Sequence, residues 1–143
     1  MSTLTLDQAK TIIEAARAKG RELNLKPLTV TVLDAHGVTL ATEREDGSSL
    51  LRPKVAHGKA YGAISLGIGS RAIFTRAQEQ PYFIQSVNAL ADGALVPVPG
   101  GVLVKDGAGT LLGAVGITGD TSDNDEIAAV AGVEAAGLTA VTG

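Results

Sequence analysis

The chain has 143 residues, of which 45% are hydrophobic and 19% charged, with a formal net charge of −3; that is enough apolar surface for one domain with a real core. Aromatics amount to only 3% and no basic cluster of five or more occurs, which argues against nucleic-acid binding. There is no cysteine, so disulfides, iron–sulfur ligation, thiolate nucleophiles and cysteine-based zinc sites are excluded.

No apolar stretch reaches the roughly 20 residues that span a bilayer, and the opening MSTLTLDQAK lacks the basic-then-apolar order of a secretory signal. The expectation is a cytoplasmic protein with no membrane partner.

Residues 5–20 predict an amphipathic helix, with Thr5 and Gln8 as a capping box and Leu6, Ala9, Ile12, Ile13 and Ala16 at helical spacing. LTVTVLD (28–34) and VTLATER (38–44) alternate as strands around the turn Ala35-His36-Gly37, which makes a hairpin. A polar loop with a turn at Asp46-Gly47 follows. Pro53 suits the first turn of a second helix running to about residue 65.

Residues 70–92 predict one or two short helices interrupted at Pro81. LVPVPGG predicts an edge strand running into a turn at Pro99-Gly100-Gly101, because Pro97 and Pro99 remove ladder donors. A second hairpin follows, with strands 102–105 and 110–118; the latter is apolar on both faces and should be central or covered on both sides. A last helix is expected over 123–136, with Ser122 and Asp125 as its capping pair. This order predicts a single α+β domain over 1–143, with a five-stranded, mostly antiparallel sheet and helices packed on it.

The chemistry concentrates in LLRPKVAHGKAYGAISLG, residues 50–67. Ala56, Lys59, Ala60 and Ala63 share one helical stripe, so Lys59 lies in or beside a close-packed face. There it can hold an anion or act as a base, or it can snorkel out or pair with a carboxylate. His57 and Tyr61, four apart, share the adjacent stripe; His57 reads as an axial metal ligand, a proton shuttle or an exposed polar position.

His36 reads as a turn residue. Glu43, Glu45 and Asp46 flank Arg44 as a cation or ligand loop, or as a solvated tip. Asp120, Asp123 and Asp125 lack the glycine and the closing Glu of a calcium loop and read as helix capping. Pro99-Gly100-Gly101 is no phosphate fingerprint, although backbone amides there can cradle an anion.

Four segments carry a resemblance. TVLDAHGVTLATEREDGSS, HGKAYGA, PVPGGVLVKDGAGTLLGAVGITG and SDNDEIAAVAG resemble, in order, the opening hairpin, the KA-x-A helix, the PGG hairpin and the closing helix of the GlcG/HbpS family of haem-binding, so-called haem-degrading, domains. The resemblance implies a profilin-like α/β/α sandwich, a homo-oligomer and pockets near subunit interfaces. By motif it carries over Asp34, Gly37, Asp46, Lys59, Pro99, Gly100, Gly101, Gly113, Gly116, Gly119, Asp125 and Glu126, most of them architectural, of which Lys59 is the one expected to face a ligand.

Three functions are compatible with these residues. In the first, the domain captures haem or a related tetrapyrrole, with His57 or Tyr61 as axial ligand and Arg52, Lys54 or Lys59 pairing its propionates. The second is a cofactor-free enzyme of lyase or isomerase type, acting on a small anionic or aromatic metabolite of a catabolic pathway. Lys59 or Arg52 would then bind substrate, while His57 and a carboxylate such as Glu43 move protons. A domain that only assists a partner enzyme through its oligomeric surface is the third.

Overall fold

Thr5 caps the first helix as its sequence predicts: its hydroxyl accepts the Gln8 N–H while the Gln8 side chain accepts the Thr5 N–H. The structure is a computed structural model and describes residues 2–143. Helix α1 (Leu6–Glu22) leads into the hairpin β1 (Thr29–Asp34) and β2 (Thr39–Arg44), then α2 (Arg52–Leu66). The chain breaks at Pro81 into α3 (Ser70–Glu79) and α4 (Pro81–Leu90). After β3 (Gly101–Lys105), β4 (Leu111–Thr118) and α5 (Ser122–Ala135), it ends in β5 (Thr139–Val141).

The five strands form one open sheet in the order β2-β1-β4-β3-β5, and every pairing is antiparallel. The doubly apolar β4 lies in the middle and is buried on both faces. Because successive strand residues point to opposite faces, each strand feeds two layers. Val30, Val32, Val115 and Ile117 pack on α1 and α5 through Ile12, Ile13, Ala128 and Val133. Leu33, Leu103 and Ala114 pack on the other side against Ala60 and Ala63 of α2. The structure is therefore an α/β/α sandwich, with α3 and α4 continuing the α2 layer around Ile73, Ile84 and Leu95.

Helix α2 sits unusually close to the sheet. A β-carbon at Gly116 would run into the Ala56 carbonyl, and one at Gly101 into the Lys59 carbonyl. Glycine in the strands and alanine in the helix together let two backbones touch.

Three expectations need correction. Residues 94–99 form no strand: the Val96 N–H donates to the Gly58 carbonyl of α2 (3.2 Å) and the Val98 N–H to the Val96 carbonyl. The fifth strand is instead β5, which pairs with β3. The cap of α5 is Thr121 rather than Ser122, its hydroxyl accepting the Asn124 N–H, and Asp125 is used elsewhere. Among the described residues, no helix is long and apolar enough to cross a membrane.

Candidate functional site

One turn of α2 separates His57 from Tyr61, and the two rings stack, with centroids 5.4 Å apart and planes 18° from parallel. The stack covers one face of the imidazole and leaves the edge that carries the ring nitrogens clear of Tyr61. His57 borders a cavity of about 510 Å³. Leu51, Pro53 and Val55 give it an apolar wall on the α2 side, and Ala94 and Val96 form the wall opposite. Lys54 and Asp92 are its charged members.

The second wall is held in place by backbone contacts. A β-carbon at Gly58 would lie 2.5 Å from Val96 Cγ2 and 2.8 Å from the Ala94 carbonyl, so only glycine beside His57 lets this segment close in. Besides the Val96 bond to Gly58, the Asn88 side-chain carbonyl accepts the Leu95 N–H at 2.9 Å.

Lys59 points away from this cavity, contrary to the expectation that it faces a ligand. It is 2% exposed; its Nζ donates to the Ile117 carbonyl at 2.9 Å and to Asp125 Oδ2 at 3.1 Å. Asp125 is equally buried, and its other oxygen accepts the Asp120 N–H at 2.9 Å. Burial pushes the Lys59 ammonium toward a lower pKa and the Asp125 carboxyl toward a higher one, and each is pulled back by the other's charge. The ion pair pins α2 to β4 and α5.

Glu43 is not brought together with His57. It lies across from Val30, on the α1 side of the sheet, and bonds Arg17 at 2.7 Å. Arg52 also turns from the His57 cavity: its Nη1 donates to Thr118 Oγ1 at 2.7 Å and its Nε to Ser49 Oγ at 3.2 Å. Gly100, with φ +120°, gives its carbonyl to the Ile117 N–H. The Gly101 N–H goes to Ser70 Oγ at 2.7 Å. Both glycines make room for Lys59, since a β-carbon on Gly100 would lie 2.8 Å from its Nζ. Of the sequence-derived set, His57 and Lys54 line this cavity and Tyr61 adjoins it through its stack on His57, while Lys59, Gly100 and Gly101 meet one another elsewhere.

The HbpS-like family of haem-degrading proteins matches residues 4–134. The chain belongs to the HbpS-like family. It is 31% identical over 131 residues to an uncharacterised 15.0 kDa protein from the dhaT-dhaS intergenic region of Citrobacter freundii, spanning 90% of this chain and 89% of that one. Among solved structures, Klebsiella pneumoniae protein ORFY is 25% identical with a TM-score of 0.86, over 96% of this chain and 92% of its own. The fold is also that of PduOC, solved as a heme complex, at 23% identity and a TM-score of 0.86 over 98% and 99% of the two chains.

Two parts of this HbpS-like chain are not legible in its sequence. Asp92 to Val96 carries a turn signal at Asp92-Gly93, but nothing local shows that the segment faces His57. Asp125 reads as a helix cap, and its partner Lys59 lies 66 positions away.

Proposed function

We propose that this HbpS-like domain captures haem or a related tetrapyrrole in the cavity between α2 and residues 92–96, with His57 as the axial ligand. The observation that carries the reading is a single imidazole, oriented by Tyr61, at the edge of an apolar cavity of about 510 Å³. That volume lies within the range of small-molecule and cofactor sites. Among the described residues no three His, Asp or Glu side chains gather. His57 therefore suits a metal that arrives already chelated and needs one protein ligand, rather than a bare ion.

The residues fit the group. Leu51, Pro53, Val55 and Val96 supply apolar contact, and Lys54 at the same cavity supplies a cation for a propionate. Bound haem would bring an iron centre whose open coordination position and potential depend on its axial ligand. Leu50, next to Leu51 of this cavity, is 94% exposed, and Leu90 is 85% exposed at the end of α4. Such exposed apolar side chains support a homo-oligomer in which a second copy covers the site. The acid–base set of the cofactor-free reading is dispersed, with Lys59 paired inside the fold and Glu43 across the sheet.

The test is a hemin titration of the purified protein, read by absorbance. A saturable, sharp Soret band at one equivalent per protomer is expected, shifted or lost in His57→Ala and kept in Tyr61→Phe. An unchanged spectrum in His57→Ala would remove His57 as ligand, and a broad, non-saturating signal would remove haem. Light scattering on a sizing column reads the oligomer.

A further inference from the structure

A second hollow, of about 200 Å³, lies where the β2–α2 loop meets the end of β4, and shares no lining residue with the His57 cavity. Lys26, Ser48, Ser49 and Arg52 line it, between the glycines Gly47 and Gly119. Ser48 is 6% exposed, yet among the described residues its hydroxyl has no hydrogen-bond partner. An unpartnered buried hydroxyl beside a concave site marks a place where a ligand can complete the bonding.

The charge there is one-sided. Among the described residues, neither Arg52 nor Lys26 forms an ion pair with a carboxylate. Arg52 keeps donors beyond those given to Thr118 and Ser49. Two of the nearby acids are committed, while Asp46, next to Gly47, is exposed and lines the neighbouring hollow rather than this one. Glu45 accepts from Arg17, Arg21 and the Leu28 N–H. Asp120 accepts the N–H groups of Lys26 and Thr121 and the amide of Asn124.

Helix α2 begins at this hollow with no acidic residue in its first turn and no side-chain cap. Its positive end is thus uncompensated. The first N–H groups are closed by turn bonds, Arg52 to the Ser49 carbonyl and Lys54 to the Leu51 carbonyl. Side chains, rather than the bare helix end, are therefore the available donors.

We propose that Lys26, Ser48, Ser49 and Arg52 form a binding site for a small phosphate-class oxyanion, either inorganic phosphate or the phosphoryl group of a small ester. The donor set decides the class. A guanidinium fork, an ammonium and two hydroxyls offer more donors than the two oxygens of a carboxylate use, and they suit a tetrahedral dianion. The hollow holds one such group and no more than a short substituent. Ser49 and Thr118 accept from Arg52, so each still has its own hydroxyl proton to give.

The experiment is calorimetric titration at low ionic strength with inorganic phosphate, with glycerol phosphate and with acetate. One saturable phosphate per protomer is expected, weakened tenfold or more in Arg52→Gln and several-fold in Lys26→Gln and Ser48→Ala. Acetate at equal ionic strength should bind at least tenfold more weakly. Tighter binding of the ester assigns a phosphorylated metabolite, and equal binding assigns the free ion. Absence of saturable binding, equal affinity for acetate, or full affinity in both Arg52→Gln and Lys26→Gln overturns the proposal. Lys26 is exposed, so its variant folds whatever Arg52→Gln does. A hemin titration of Arg52→Gln separates the two sites: a lost Soret band with phosphate affinity intact would place Arg52 at the tetrapyrrole and overturn the assignment.

Discussion

Replacing Asp125 with Asn removes one charge from a pair in which both partners are all but sealed from water, at 2% and 1% exposure. Removing one member of a buried pair costs about 3–5 kcal/mol, chiefly because the remaining charge is left uncompensated. Here the cost should fall near 3 kcal/mol. Asn keeps an acceptor for the Asp120 N–H, and Lys59 keeps the Ile117 carbonyl.

At roughly 3 °C per kcal/mol for a chain of this length, that is about 10 °C in Tm. Urea unfolding followed by far-UV circular dichroism reads it, with an unchanged m value. The loss should depend on pH in one direction. Burial without Asp125 lowers the folded-state pKa of Lys59 further below its unfolded value. The penalty is then complete at and below the lowered folded-state pKa, and it shrinks as pH rises toward about 10.5. Adding Lys59→Met to Asp125→Asn should restore at least half of the loss, since an apolar replacement of both charges is tolerated. A single variant within 1 kcal/mol of the parent at pH 7, or a double variant no better than the single, would refute this account.

Gly116→Ala drives a β-carbon into the Ala56 carbonyl. With backbone on both sides and nothing flexible to yield, thermal unfolding should show a loss of about 3 kcal/mol or failure to accumulate folded protein. Thr121→Ala removes the hydroxyl that caps α5 and should cost about 1 kcal/mol in urea, whereas Ser122→Ala should cost a few tenths. Asp120 has its carboxyl pKa lowered to about 2, first by the Lys26 N–H and then by Asn124 and Thr121. Its contribution is complete above about pH 4 and disappears as pH falls through about 2. Asp120→Asn should therefore flatten the acid limb of the stability–pH curve, and an acid midpoint identical to that of the parent would reject this assignment.

How much of this could be read from the chain depends on how far apart the interacting residues lie. The Thr5–Gln8 box and the break at Pro81 are local, and both appear where expected. The sandwich follows from the alternation of β1 and the doubly apolar β4. The edge strand expected in LVPVPGG does not form, for a long-range reason: Gly58 of α2 offers its carbonyl to Val96, so the segment runs along the helix rather than the sheet. Strand β5 has no signal of its own in the sequence, because it has three residues, Thr139 to Val141, and exists only against β3.

The same holds at the site. His57 and Tyr61 are paired correctly by their spacing, but spacing cannot say which side of α2 faces solvent. Lys59, on the neighbouring stripe, therefore reads as a functional amine until Asp125 is found beside it. The hollow at Arg52 joins residues from 26 to 119, and no window of sequence contains it.

The strand order β2-β1-β4-β3-β5 also governs how the molecule comes into being. Val32 takes its inner partner at Val115, so the β1–β2 hairpin and α2 must be made long before the strand that unites them. A two-stranded hairpin is at best marginal alone, and α2, alanine and glycine on its inner side but for Lys59, has little to grip until β4 arrives. Folding thus waits on synthesis through at least Thr118, and the late closure of such distant pairings makes it slow. Until then the apolar side of β1 lies open to any other strand in the cell, and a nascent chain stalled before Leu111 is a substrate for chaperones rather than a half-built domain.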